Sequence, residues 1–146
     1  MTPDVGVAPE TSVQAMLDAD NASRAMGMRI LAVASGRVDV EMTVDASMVN
    51  GHGICHGGMI FSLADSAAAF AAGTRNVRSV AASCDIAFLR AANLGERLLA
   101  EACERSSVGR TSVYDVTVSH AGQTVAEMRA VYRSLRRPIV PAASGG

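Results

Sequence analysis

The feature that most limits what this chain can fold into is the run at residues 59–72, MIFSLADSAAAFAA. Alanine and leucine favour helix and no proline interrupts the run, so the stretch reads as a helix. It is apolar on nearly every face, which predicts cover on all sides rather than a place on the surface. Its single ionisable side chain is Asp65. A carboxylate inside an apolar helix is costly unless it is paired, hydrogen-bonded or used, so Asp65 is the first candidate functional residue. The residues just before it, NGHGICHGG at 50–58, carry four glycines, two histidines and a cysteine, and read as a loop leading into the helix.

Around this centre the chain alternates. Residues 1–10, with Pro3 and Pro9, read as a flexible arm. A helix is expected from Thr11 or Ser12 to Met26, with Val13, Met16 and Leu17 on one face and Gly27 as its stop. Residues 28–34 read as a strand. In residues 37–44 Val38, Val40, Met42 and Val44 alternate with Arg37, Asp39, Glu41 and Thr43, the period-two pattern of a half-covered strand. After the central helix, residues 77–92 place Val80, Ala82, Cys84, Ile86 and Phe88 on one face, with a turn at Asn93-Leu94-Gly95-Glu96. Strands follow at 97–107, 111–120 and 123–135, the last with Ala126, Met128, Ala130 and Tyr132 on one face, and Gly109 and Ala121-Gly122 supply their turns. Short turns between these segments imply antiparallel hairpins. Residues 137–146 read as a flexible tail, leaving 11–136 as one domain.

The expected sum is two strands, a buried helix and a four-strand antiparallel meander. A strongly curved sheet can wrap such a helix. That is an α+β architecture, the hotdog fold: a curved antiparallel sheet around a long central helix. One sheet covers only part of the helix, so a second copy of the chain is expected against the remainder.

Composition narrows the function classes. The chain has 14 acidic and 13 basic residues, so charge gives no argument for nucleic acid or an anionic membrane. Aromatic residues are 3% of the chain and Trp is absent, which argues against a platform for stacking bases. No signal peptide or membrane-spanning run is visible, and three scattered cysteines do not form a disulfide framework, which together suggest a soluble cytoplasmic protein. His52, Cys55 and His56 lie too close on one loop, without a second pair of ligands, to suggest a metal. Cys55 and His56 are adjacent in sequence, and adjacent side chains seldom meet as nucleophile and base.

The spacing Asn50…His56-Gly57-Gly58…Asp65, with Ser-Leu-Ala-Asp in the helix, resembles PaaI-type acyl-CoA thioesterases, hotdog proteins of phenylacetate degradation. The likeness continues through VAASCDIAFLR at 80–90. The resemblance implies hydrolysis of an aryl-acetyl or hydroxyaryl-acetyl thioester to free acid and coenzyme A, with no metal or redox cofactor. It makes Asp65 the general base or nucleophile and the Gly57 N–H the oxyanion donor. It gives Asn50 and His56 positioning roles, Ser83 a place near the acid, and Gly58 and Met59 a place against the substrate. The phosphates of coenzyme A need cations, with Arg110 the first choice and Arg90 another. The subfamily's tetramers, dimers of dimers, are expected too.

Two arguments are independent of the resemblance. The first N–H groups of a helix are unpaired and carry the positive end of its dipole, so Gly57 is suited to a developing oxyanion. Asp65 lies eight residues beyond Gly57, about 12 Å along a helix axis, so one chain cannot bring both to one reacting carbon. Two antiparallel helices related by a two-fold axis can, which predicts active sites shared between subunits. Two other readings stay open. A hotdog acyl-CoA dehydratase would use His56 and Asp65 on the α and β carbons, and a non-catalytic module would bind acyl-CoA without turnover.

Overall fold

The computed structural model describes residues 6–141. Its elements are α1 (Pro9–Ala19), α2 (Asn21–Ala25), β1 (Arg29–Ala34), β2 (Arg37–Thr43), a 3₁₀ turn (Ala46–Met48), α3 (Gly57–Gly73), β3 (Val77–Phe88), β4 (Arg97–Val108), β5 (Thr111–His120) and β6 (Gln123–Pro138). The six strands form one antiparallel sheet in the order β1-β2-β4-β5-β6-β3, and α3 packs against β2, β4, β5, β3 and β6. This is the expected hotdog arrangement. No helix among the described residues is long and apolar enough to cross a membrane.

The alternation in β2 holds: Val38, Val40 and Met42 are fully buried against the helix. So does that of β6, whose Ala126, Met128, Ala130 and Tyr132 form the floor under α3 together with Tyr114, Val116 and Val118 of β5. From α3 itself, Ile60, Leu63, Ala64, Ala67, Ala68, Phe70 and Ala71 point into that floor. Alanines there let the helix lie close to the sheet, so burial follows from small size as much as from hydrophobicity.

Three expectations are corrected. First, helix α1 begins at Pro9, earlier than the expected cap at Thr11 or Ser12, because proline is suited to the first helical turn. Ser12 is buried and donates to the Gly73 carbonyl at 2.8 Å, tying α1 to the end of α3. Second, the expected single helix to Met26 is broken at Asp20, whose carboxylate accepts from the Ser23 N–H at 2.9 Å and caps α2.

Third, β3 to β6 are not a four-strand meander. Both edges of β4 are occupied, by β2 and β5, so β3 pairs instead with β6 at the far edge of the sheet. Residues 89–96 are therefore a crossing segment rather than a hairpin turn. Gly95 donates to the Val44 carbonyl at 2.8 Å, and the Ala92 carbonyl accepts from the Cys55 N–H at 2.7 Å. The crossing segment thus lies against the loop that enters α3.

A bulge in β3 between Ala81 and Ser83 breaks the predicted face. Cys84 and Ile86 oppose Ala130 and Met128 on the helix side, whereas Val80 opposes exposed Arg133 and is 50% exposed itself. At the ends of the domain, Ile139 and Val140 hydrogen-bond to Asn76, so the start of the expected tail is docked. Residues 1–5 of the expected arm and 142–146 of the tail lie outside the described residues.

Candidate active site

The loop before α3 is built to present the helix N-terminus. Asn50 donates its backbone N–H to Ile54 and accepts from Gly53, closing a tight turn in which Gly53 has φ of 79°. This left-handed conformation is one that glycine adopts without a steric cost. The Asn50 side-chain oxygen accepts from the His52 N–H at 2.9 Å, so its amide NH₂ points away from the turn's backbone donors. His56 is the N-cap. Its Nδ1 accepts from the Gly58 N–H at 2.9 Å, and its own N–H donates to the Met48 carbonyl at 2.7 Å. An accepting Nδ1 places the proton of the neutral ring on Nε2.

These bonds leave one donor over. Met59 and Ile60 donate to the His56 carbonyl and Gly58 to its ring, while the Gly57 N–H has no hydrogen-bond partner among the described residues. Gly57 lines a cavity of about 330 Å³ with Asn50, Ile54, Cys55, Ile60, Phe88, Leu89, Arg90 and Ala91. The Phe88 ring lies directly over it, so that a Cβ at residue 57 would stand 3.3 Å from Phe88 Cζ. The cavity therefore combines an unused helix-terminal N–H, an asparagine amide and an arginine in an apolar frame. That arrangement can receive a polarised carbonyl with an anionic group beyond it.

Asp65 lies two turns further along α3, outside that cavity and half-buried. Its Oδ1 accepts from the Tyr132 hydroxyl at 2.8 Å, and the Asp65 backbone carbonyl is 3.1 Å from the same hydroxyl oxygen. Tyr132 is buried in the sheet floor, edge-on to Tyr114 with ring centroids 5.8 Å apart. Burial, and then the Asp65 charge, push the Tyr132 hydroxyl far above its usual range, so it remains a donor. Burial, and then the same carboxylate, raise the Cys84 thiol.

Tyr132 was missed as a site residue in the sequence. The signal was there, because a tyrosine on the inward face of β6 needs a polar partner, and the central helix offers one carboxylate.

The other expected site residues are distributed as follows. Gly58 is exposed beside the His56 ring, and Met59 is half-buried against the core. Ser83 is exposed on β3 opposite Val131, whose neighbours Ala130 and Tyr132 face the helix, so within one chain Ser83 looks to the other side of the sheet. Arg90 lines the cavity with Gly57. Arg110, in the β4–β5 turn, donates to the Ser134 carbonyl at 3.2 and 3.3 Å. The nine-residue step along β3 from Ser79, opposite Ser134, to Phe88 puts it roughly 30 Å from that cavity in the same chain. Burial, and then the charge of Asp45, raise the Cys55 thiol, so it is poorly suited to be a thiolate nucleophile.

The chain matches the thioesterase superfamily model over residues 52–127, just over half its length. It is 41% identical over 119 residues to the acyl-coenzyme A thioesterase PaaI of Escherichia coli K12, covering 81% of this chain and 85% of that protein. The structure of the E. coli PaaI protein from the phenylacetic acid degradation operon superposes with a TM-score of 0.87 at 37% identity, covering 89% of this chain and 95% of that one. A Streptococcus mutans protein bound to acetyl CoA superposes with a TM-score of 0.74 at 26% identity, covering 76% and 90%. With the family model, the sequence likeness and the superposition all agreeing, the chain belongs to the thioesterase superfamily.

Proposed function

We propose that the protein hydrolyses an acyl-CoA thioester to a free acid and coenzyme A, in a site shared by two copies of the chain. The observation that carries this reading is the pair of groups on α3. The Gly57 N–H, without a partner among the described residues, belongs to the lining of a cavity at the helix start, and a half-exposed carboxylate, Asp65, is held two turns away. The thioester carbonyl oxygen accepts from the Gly57 N–H and is stabilised as it becomes an oxyanion. Asp65 of the second copy acts on the carbonyl carbon, either taking a proton from the attacking water or adding directly. Asn50 donates to the water or carbonyl, His56 keeps the helix start in place, and Arg90 meets the coenzyme phosphates. The reaction needs no metal or redox cofactor. A phenylacetyl or hydroxyphenylacetyl group is the acyl portion favoured by the likeness to PaaI.

The surface supports the second copy. β3 is an edge strand with Val80 and Phe88 at least half exposed, as is Leu89 just beyond it, and the open side of α3 carries Met59, Phe61, Asp65 and Ala69. A long apolar edge is normally covered. A two-fold axis beside β3 runs the two α3 helices antiparallel and brings Asp65 of one towards Gly57 of the other. Pairs of such dimers complete a tetramer. Ser83, on the edge strand, then belongs to the region between the copies.

The test is thiol release from a panel of acyl-CoA thioesters by wild type and Asp65→Asn. Cleavage of arylacetyl thioesters, with a loss of at least about a hundredfold in the variant, is the expected result. Dehydration would release no thiol, and a binding module would bind without turnover. Absence of cleavage across the panel, or an Asp65→Asn enzyme as active as wild type, overturns the proposal.

A further inference from the structure

We infer that Tyr132 is a positioning residue for the reaction, fixing which oxygen of Asp65 is free to react. This rests on the reading of Asp65 given above. The Tyr132 hydroxyl reaches Oδ1 at 2.8 Å from below, out of the sheet floor. Asp65 stands on the half-open side of α3, so the bond turns Oδ1 inward and leaves Oδ2 as the outward oxygen. A hydroxyl carries one proton, and the Asp65 main-chain carbonyl, at 3.1 Å, is the longer of its two contacts. The carboxylate oxygen therefore takes the proton.

The surroundings keep this bond in one sense. Tyr132 is 2% exposed and wedged edge-on against Tyr114, so it neither rotates away nor exchanges its partner for water. The titratable groups that surround the pair are Cys84 from β3 and Tyr114 from β5, both kept in their neutral forms by burial. Asp65 is the one charge in the group. Its carboxylate is thus oriented by a neutral, buried donor at hydrogen-bond distance. A water between Asp65 and the thioester then meets a single oxygen in a fixed direction.

The experiment compares kcat and KM of wild type, Tyr132→Phe, Asp65→Asn and the double variant, each followed by thiol release from the best substrate. Removing a hydrogen bond to a charged group predicts a fall of about ten- to a hundredfold in kcat for Tyr132→Phe, with KM changed less than about threefold. In the Asp65→Asn background the same change costs less than about twofold, since the group it positions is gone.

Retained kcat in Tyr132→Phe, alongside an inactive Asp65→Asn, overturns the inference and leaves the thioesterase reading standing. An active Asp65→Asn overturns both. If Tyr132→Phe does not fold, 3-fluorotyrosine decides instead. The chain has two tyrosines, and Tyr114→Phe leaves only the resonance of residue 132. The expected result is a displaced ¹⁹F resonance when Asp65→Asn is added to that protein, and an unmoved resonance overturns the inference.

Discussion

Gly57→Pro is the substitution that most cleanly separates the proposed oxyanion donor from the helix that carries it. Gly57 is the first residue of α3, where a proline is accepted because its missing N–H has no helical partner to lose. Its φ is not positive, and His56 before it has ψ of 134°, the extended conformation that a residue preceding proline prefers. The His56 cap bonds Gly58, so it survives the change. A Cβ at residue 57 meets the Phe88 ring at 3.3 Å, so the ring must give by a few tenths of an ångström. Folding should therefore be nearly neutral, with a gain of about 0.4–1 kcal/mol from the stiffer unfolded chain offset against the ring's displacement. Catalysis should not be neutral. Deleting one oxyanion donor costs about 10²–10³ in kcat. Gly57→Ala is the control, because it makes the same contact with Phe88 and keeps the N–H. The assay is steady-state thiol release for the two variants with melting temperatures measured in parallel. A proline variant as active as the alanine variant, at equal stability, would refute the role assigned to the Gly57 N–H.

Three further outcomes are expected. His56→Ala removes the Nδ1 acceptor of the Gly58 N–H, and should lower stability by about 1 kcal/mol in denaturant titrations while lowering kcat through a looser helix start. Arg90→Ala should raise KM several-fold for coenzyme A thioesters, and a short thioester without phosphates should show no change. Asp115→Asn tests the sheet surface: the Arg129 hydrogen bond, aided by Arg105, holds the Asp115 carboxyl below its usual 3.8. Its contribution is present above that value and lost as pH falls through the lowered one. The melting temperatures of variant and wild type should therefore differ at pH 7 and converge as the pH falls well below 3.8. A constant difference across that range would contradict the assignment.

The parts of the fold legible in the sequence were those set by burial of a single element. The apolar run around Asp65 specifies a covered helix, and strict alternation in Arg37–Thr43 specifies a strand with one wet face. Strand order was not legible in the same way. Hairpin reasoning pairs neighbours in sequence, whereas β3 goes to β6 because β2, coming from the other side of the helix, already holds the edge of β4. The bulge at Ala82 is equally silent, since Val80, Ala82 and Cys84 alternate perfectly until one residue steps out of register. At the site, the helix start could be read from the glycines and the N-cap histidine. Tyr132 could not be placed there by spacing, because it lies 67 residues from Asp65 and meets it only through the sheet. Arg110 was the first choice of cation in the sequence, yet within one chain Arg90 lines the cavity beside Gly57 and Arg110 lies at the far end of the strands.

The central claim is that one active site draws Asp65 from one copy and Gly57 from another. Co-expression of Asp65→Asn with Gly57→Pro tests it most directly. Each variant alone is inactive at both sites of its dimer, but a mixed dimer rebuilds one intact site from the Gly57 N–H of the Asp65→Asn chain and the Asp65 of the Gly57→Pro chain. Random pairing then predicts recovery of about a quarter of wild-type activity from two inactive parents. Recovery at that level supports a shared site. Folded mixed dimers that remain inactive would contradict it, and would place both groups of each site on a single chain.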